Sequence, residues 1–230
     1  MGKEIEKAAL SHGHEIIGKL DTPDDWMTLT SLLSQADVVL EFSTPGSVLG
    51  NIRYCFDMRI PIVVGTTGWH NQMELVKTWC REEKQSIFAA SNFSIGVNIL
   101  FSLTQRLAKI LNRFENYDIA LEEIHHIHKL DSPSGTAVKL AEIILNNLER
   151  KESWVNQSCS APEELEIISY RQNEIPGIHK ITCESDTDSL VLIHEAKGRQ
   201  GLAAGAIMAA EWLKGRQGFF EMNDLLNINE

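Results

Sequence analysis

The sequence predicts an α/β fold that is followed by an α+β fold. In the first part of the chain, helical patterns alternate with short apolar strands, and this alternation is typical of a doubly wound parallel sheet. Polar loops rich in Ser, Thr and Gly follow three of those strands. In the later part, several strands rich in β-branched and aromatic residues follow one another, which predicts a second domain with an open mixed sheet.

The first part begins with a predicted helix, Met1–Leu10, and a predicted strand, His14–Asp21. The elements that follow are a buried strand Asp37–Phe42, a helix Pro45–Phe56 capped by Thr44, a strand Ile60–Val64, a helix Asn71–Glu83 and a strand Ser86–Ala90. In a doubly wound sheet, ligands bind beyond the carboxyl ends of the strands. The loops at those ends contain Ser43-Thr44, Gly65-Thr66-Thr67 and Ser91-Asn92-Phe93.

The second part begins with a long apolar helix, Ile95–Phe114. The elements predicted after it are an alternating strand through Tyr117, Ile119, Leu121 and Glu123, a helix from Gly135, and the strands Leu165–Arg171, His179–Glu184 and Ser189–Glu195. A final helix, Gly201–Lys214, and a tail, Phe219–Leu226, close the chain. An open sheet with apolar faces needs covering, so self-association through this sheet is expected.

Composition and charge exclude several classes of protein. The 21 basic and 32 acidic residues give a net charge of −11, which argues against nucleic acid or an anionic membrane as a partner. The sequence contains no apolar run of membrane-spanning length, and its start lacks the pattern of a signal peptide. The four cysteines show no metal-binding or disulfide spacing, so we expect reduced thiols and a cytoplasmic location.

The most informative segment runs from Glu122 to Ala137 and contains His125, His126, His128 and Lys129. Apolar residues at helical spacing follow it, so Ser134-Gly135-Thr136 should form the first turn of a helix. The N–H groups of such a turn, together with the helix dipole, provide a site for an anion. Lysine and histidine side chains just before the turn would add positive charge and proton donors.

Two other interpretations of this segment remain open. His125-x-x-His128 has a spacing that could hold a metal, although the cysteines are scattered and no Cys-x-x-Cys is present. Ser134 could be a hydrolase nucleophile, but it lacks the Gly-x-Ser-x-Gly turn, and a serine in this position is commonly a helix cap.

The motif Glu-x-His-His-x-x-Lys-x-Asp-x-Pro-Ser-Gly-Thr-Ala resembles the substrate motif of the 4-hydroxy-tetrahydrodipicolinate reductase family, also called dihydrodipicolinate reductase. The resemblance extends over nearly the whole chain, through Glu41–Pro45, Gly65–Gly68, Ala90–Asn98, Ile175–His179 and Arg199–Ala206. It implies a Rossmann-type dinucleotide-binding domain (residues 1–93 and 199–230) and a substrate-binding and oligomerisation domain (residues 94–198). It also implies a homotetramer that reduces a cyclic imine dicarboxylate with NAD(P)H in lysine biosynthesis.

The resemblance also assigns roles to individual residues. His125 would donate a proton and Lys129 would stabilise developing charge, while His126, Ser134, Gly135 and Thr136 would bind substrate. The residues implied for the cofactor are Gly2, Asp21, Phe42, Ser43, Gly65, Thr66, Thr67, Ala90, Ser91, Asn92 and Phe93. Arg199 is either a residue at the mouth of the site or an ordinary surface residue. No metal is implied.

Asp21 lies about 20 residues past the glycine region, the spacing of a carboxylate that binds the adenosine ribose. A turn or capping aspartate before Pro23 is the alternative interpretation. More acidic residues and no basic residue follow Asp21, so NADH is expected as the cofactor, with NADPH as a second possibility.

The sequence departs from the family at its start. A dinucleotide-binding fold begins with a strand and Gly-x-Gly-x-x-Gly, whereas this sequence starts in the helix that follows, so Gly2 can match only the last glycine. We expect either that Met1 is an internal methionine of a longer protein, which the intact later motifs favour, or that the chain is a truncated relative with impaired cofactor binding. The corresponding alternative function is an oligomer or binding module without catalysis.

Overall fold

The computed structural model describes residues 1–159 and 161–227. The chain divides into two compact units, of which the first comprises Met1–Ser94 with Gln200–Glu230 and the second Ile95–Arg199.

The first unit contains a parallel four-stranded sheet with the strand order β1-β2-β3-β9. These strands are β1 (Val39–Glu41), β2 (Ile62–Val64), β3 (Ser86–Ala89) and β9 (Gly218–Phe220). The helices of this unit are α1 (Gly2–Ser11), α2 (Pro23–Thr28), α3 (Thr30–Leu33), α4 (Val48–Asp57), α5 (Met73–Glu82), α8 (Gln200–Leu213) and α9 (Met222–Leu226), with a 3₁₀ helix at His70–Gln72.

Helices cover both faces of this sheet. The apolar sides of α4 and α5 pack with Ile62, Val64 and Ile87 in one core cluster. On the other face, α1 and α8 pack against each other and against Leu40. A Cβ atom on Gly205 would lie only 1.8 Å from the carbonyl oxygen of Phe93, so glycine is required where α8 approaches the loop after β3.

Two expectations for the first unit were wrong. Residues 14–21 form no strand, because among the described residues β1 pairs only with β2 and no strand lies beside this segment to complete a ladder. The helix expected from Pro45 starts only at Val48. The amides of Ser47 and Val48 both donate to the carbonyl of Thr44, so residues 45–47 form a turn before α4.

The second unit contains a mixed five-stranded sheet with the order β5-β6-β4-β7-β8. Its strands are β4 (Asp118–His125), β5 (Ser153–Val155), β6 (Glu164–Arg171), β7 (Ile178–Glu184) and β8 (Ser189–Glu195), and its helices are α6 (Ile95–Leu111) and α7 (Gly135–Leu145). Alternate residues of β4 are buried, and Ile119 and Leu121 pack there with Leu140 and Ile144 of α7. The helices therefore cover the inner face of the sheet, and the outer face is left for other contacts.

The predicted fold class is confirmed: a Rossmann-type parallel sheet is followed by an α+β unit with a mixed sheet. Within the described part of the chain, every helix is too short or too polar to cross a bilayer.

Candidate functional site

The inner face of the second sheet carries a cluster of polar side chains at the carboxyl end of β4. The antiparallel register places His179 of β7 directly opposite Glu123, and the parallel register places Arg171 of β6 beside His125. Residues far apart in the sequence are thus brought together by strand pairing. Glu123, His125 and His179 are all buried.

Glu123 lies at the centre of this cluster with no exposed surface. Its Oε1 accepts hydrogen bonds from the amide of Ser134 (3.0 Å) and from Nη2 of Arg171 (3.2 Å). Its Oε2 lies 3.2 Å from Nδ1 of His125 and 3.8 Å from Nε2 of His179. One carboxylate therefore contacts two strands and the residue that caps α7.

The surroundings set the charge states in the cluster. Burial raises the pKa of the Glu123 carboxyl, but contacts from His125 and Ser134 outweigh burial, and the pKa lies well below its usual range. Burial, with a further contribution from His125, lowers the pKa of His179 to about 4. Near neutral pH, Glu123 is therefore ionised and His179 is neutral.

The ring of His125 lies between Glu123 and Gly177. Its Nδ1 faces Glu123, and a Cβ atom on Gly177 would lie 2.9 Å from its Nε2. The His179 ring meets it edge-on, with the ring centroids 5.1 Å apart. Nε2 is thus the ring nitrogen that points away from the carboxylate, as a proton donor to a ligand must.

The loop after β4 carries the other predicted residues. Nζ of Lys129 pairs with Asp131 at 2.8 Å, and the Asp131 carbonyl accepts a bond from Arg171 (2.5 Å). His126 is half-buried, and its ring centroid lies 6.0 Å from that of His128. The side chain of His128 is 67% exposed and pairs with Glu174, so it lies outside the buried cluster.

Ser134 is a helix cap, as one of the open interpretations held. It is the N-cap of α7, and its Oγ accepts from the amide of Ala137 at 3.2 Å. Its own hydroxyl hydrogen is then available to Nε2 of His179, also at 3.2 Å. A Cβ atom on Gly135 would meet nothing within 4 Å, so open space lies beside the first helical residue, where an anion can approach.

A metal ion would have different ligands from those that the sequence suggested. Among the described residues, the ligand atoms of Glu123, His125 and His179 lie within 4.8 Å of one another, whereas the sequence spacing suggests His125 and His128 as ligands. Against a cation, Arg171 already places a guanidinium 3.2 Å from the same carboxylate. The cluster is thus suited to holding and moving protons, and metal analysis of the purified protein would test that interpretation.

Sequence reasoning missed Arg171, His179 and Gly177 as parts of this cluster. In the sequence, the segment Ile175–His179 stands out only as part of the family resemblance. Each of the three becomes a neighbour of Glu123 or His125 through strand register, which spacing along the chain does not reveal.

In the first unit, the predicted cofactor residues lie in loops at the carboxyl ends of β1, β2 and β3. The amide of Ser43 donates to Oγ1 of Thr66 at 2.8 Å, which ties the first two loops together. Glu41, 4% exposed at the end of β1, accepts bonds from Ser43 and from Asn51. The other predicted residues at these ends are Phe42, Gly65, Thr67, Ala90, Ser91, Asn92 and Phe93.

Gly65 has a structural role that the sequence did not show. A Cβ atom there would lie 2.0 Å from the ring of Phe42, so only glycine lets this ring pack between the loops. Phe42 in turn contacts the ring of Phe93, with the centroids 5.6 Å apart. Aromatic packing therefore joins the loops after β1, β2 and β3.

The remaining cofactor candidates, Gly2 and Asp21, differ in their surroundings. Gly2 is the first residue of α1, a Cβ atom there would meet nothing within 4 Å, and the preceding Met1 makes no side-chain cap bond. The amides of a first helical turn are groups that can bind phosphate. Asp21 lies exposed in an irregular segment, and its amide donates to Asp25, which forms the capping box of α2.

A Rossmann-type parallel sheet joined to a separate α+β unit with a buried Glu–His–His cluster places the chain among two-domain dehydrogenase folds. Residues 1–93 match the family model described as dihydrodipicolinate reductase, N-terminus, and residues 96–226 match the model of the C-terminus. The chain therefore belongs to the dihydrodipicolinate reductase family. As a member it is an oxidoreductase, and the N-terminal match implies a pyridine-nucleotide cofactor.

Individual relatives agree with this. The chain is 40% identical to the 4-hydroxy-tetrahydrodipicolinate reductase of Christiangramia forsetii, over 99% of this chain and 94% of that protein. It is 34% identical to the enzyme of the same name from Neisseria meningitidis serogroup B, over 86% of this chain and 76% of that protein.

Solved structures share the fold. Dihydrodipicolinate reductase from Paenisporosarcina sp. TG-14, in a structure with dipicolinate bound, matches with a TM-score of 0.76 at 22% identity, covering 97% of this chain and 94% of that one. An amine dehydrogenase from Mycobacterium smegmatis matches with a TM-score of 0.58 at 8% identity, covering 96% and 91%.

Proposed function

We propose that this chain is a 4-hydroxy-tetrahydrodipicolinate reductase of lysine and diaminopimelate biosynthesis. It would convert a hydroxylated cyclic imine dicarboxylate into tetrahydrodipicolinate by transfer of a hydride and a proton, with the hydroxyl group lost as water. The observation that carries the proposal is the buried His125 at the end of β4, whose Nδ1 lies 3.2 Å from Oε2 of Glu123, in the same motif as the open start of α7. A reduced nicotinamide dinucleotide would supply the hydride. The roles of the protein are to bind the dicarboxylate, stabilise developing negative charge and deliver a proton.

Each of these roles falls to a residue of the motif. The first turn of α7, with Gly135 and Thr136, and the Lys129 ammonium would bind one carboxylate and the developing charge. His126 and Ser134 would complete the substrate site. His125 would donate a proton from Nε2, because its other ring nitrogen faces Glu123.

The cofactor would bind in the first unit, at the open start of α1 and the loops after β1, β2 and β3. We propose NADH as the preferred donor, with Asp21 as the residue that binds the adenosine ribose. The acidic residues after Asp21 support this preference, because a 2′-phosphate would meet like charge there. Family members are expected to accept NADPH as well, so the preference is modest.

Turnover measurements test the proposed function. The purified protein is mixed with NADH and 4-hydroxy-tetrahydrodipicolinate, and the loss of reduced nicotinamide is followed. His125→Asn and Lys129→Met should each lower kcat strongly, by about 10²–10⁴-fold for His125 as a general acid. The matched controls are His128→Asn and Lys139→Met, which change exposed residues paired with Glu174 and Glu142. Equal turnover by all four variants would contradict the roles proposed for His125 and Lys129.

We further propose that the chain forms a homotetramer through the outer face of the second sheet and works in the cytoplasm. Large apolar side chains are exposed on that face, including Tyr170 (47%), Val191 (40%) and Ile193 (61%). Ile193→Lys should dissociate the tetramer in light scattering, and Ile110→Lys, on the exposed side of α6, should not. All four cysteines are free thiols, which is consistent with a reducing compartment.

A further inference from the structure

We propose that Glu123 is the positioning residue of this site, because its carboxylate fixes both the proton donor His125 and the start of α7. This inference rests on the proposed function and deepens it. Glu123 itself has no exposed surface, so it acts through the residues that it contacts and does not touch the substrate.

The two carboxylate oxygens of Glu123 contact different parts of the site. Oε1 accepts from the amide of Ser134, the residue that caps α7, at 3.0 Å. Oε2 lies 3.2 Å from Nδ1 of His125. A change in the position of this one carboxylate therefore moves the proton donor and the anion-binding turn together.

The contact with His125 also selects which nitrogen can react. A carboxylate beside Nδ1 favours the form of the ring that keeps its proton on Nδ1, as is common for histidines whose orientation is set by a second residue. Nε2 is then the ring nitrogen that would transfer a proton to the substrate.

Arg171 connects Glu123 with Lys129, the residue predicted to stabilise developing charge. Its Nη2 bonds both Oε1 of Glu123 (3.2 Å) and the carbonyl of Asp131 (2.5 Å). The carboxylate of Asp131 holds Nζ of Lys129 at 2.8 Å. Glu123 is thus linked through Arg171 and Asp131 to Lys129, and the guanidinium places a positive charge beside the buried carboxylate.

The first test compares Glu123→Gln with Glu122→Gln. Glutamine keeps the shape of Glu123 but removes its charge, whereas Glu122 is a half-buried neighbour on β4 that pairs with Lys180. We expect kcat to fall at least tenfold in Glu123→Gln, toward the loss of about 10²–10⁴-fold that removal of a general acid causes. Glu122→Gln should keep the original kcat, and Glu123→Asp should recover part of it. An unchanged kcat in Glu123→Gln would overturn the proposal.

The second test reads the ring of His125 directly and needs no turnover. In protein labelled with ¹⁵N at histidine, the His125 signals are assigned by their loss in His125→Asn. We expect the neutral ring to carry its proton on Nδ1 and to lose that preference in Glu123→Gln. A proton on Nε2 in the unaltered protein would overturn the proposal, even if Glu123→Gln fails to fold. If the Nδ1 form is found but the protein does not reduce the substrate, only the proposed function fails.

Discussion

Gly177 and His125 are neighbours across β4 and the start of β7, and a Cβ atom on Gly177 would lie 2.9 Å from Nε2 of His125. This is closer than ordinary van der Waals contact, and the ring has little room to move because it is buried between Glu123 and His179. The glycine therefore keeps open the space beside the nitrogen that is proposed to donate the proton.

Gly177→Ala should lower kcat by about tenfold or more, because the methyl group displaces the ring whose proton transfer is typically worth 10²–10⁴-fold. The matched control is Gly50→Ala in α4, where a Cβ atom meets nothing within 4 Å. That variant should keep its kcat and gain about 0.5–1 kcal/mol of stability, since alanine is the better helix former. Equal kcat values in the two variants would show that Nε2 needs no free space.

Anion binding at α7 can be tested with pyridine-2,6-dicarboxylate. We expect this dicarboxylate to compete with substrate, and to compete less well in Thr136→Pro, because proline removes one amide of the first turn. Thr136→Ser serves as the control that keeps the amide. Inhibition constants measured for the three proteins give the answer, and identical constants would place the anion elsewhere.

His179 should make the protein sensitive to mild acid. Its pKa is lowered from 6.5 to about 4 by burial and by His125. Between those pH values the unfolded chain binds a proton at His179 that the folded chain does not. The contribution of His179 to the free energy of unfolding is therefore fully present above pH 6.5 and is lost as the pH decreases toward 4. The loss reaches about 3 kcal/mol, since a tenfold change in proton affinity corresponds to about 1.4 kcal/mol.

Urea unfolding at a series of pH values measures this loss. His179→Gln should flatten the decrease over that pH range, and His128→Gln, which changes an exposed histidine, should not. If the His179 variant retains the full decrease, another group is responsible.

The proposed role of Asp21 in binding the adenosine ribose can be tested by comparing the affinities for NADH and NADPH. We expect NADH to bind more tightly than NADPH by about 1–3 kcal/mol, the range for a hydrogen bond to a charged group together with repulsion of a phosphate. Asp21→Asn should reduce this difference, and Asp24→Asn, a nearby exposed change in α2, should affect it less. A clear preference of the unaltered protein for NADPH would remove the role given to Asp21.

Local sequence patterns predicted the parts of the fold that depend on near neighbours. The helix predicted around Ser134-Gly135-Thr136 is α7, with Ser134 as its N-cap, and the alternation through Ile119, Leu121 and Glu123 predicted the buried face of β4. The strand predicted at His14–Asp21 was wrong because strand formation depends on a partner, not only on an apolar pattern.

The sequence predicted only the part of the candidate site that lies within one motif. His125 and Lys129 lie in one motif, so the sequence placed them together, whereas His179 and Arg171 come from other strands. Their distance from Glu123 depends on strand register, which is set by the packing of a whole sheet. His128 shows the reverse case, since it is close in sequence to His125 but points to solvent and pairs with Glu174.

The register of β4 determines both the packing of the core and the position of the proposed proton donor. Side chains alternate between faces, so a slip of one residue would turn Ile119 and Leu121 away from α7 and would turn Glu123 and His125 away at the same time. A misregistered molecule would thus lose its core and its proton donor in a single event. Specific activity should therefore fall in proportion to the misregistered fraction of a preparation.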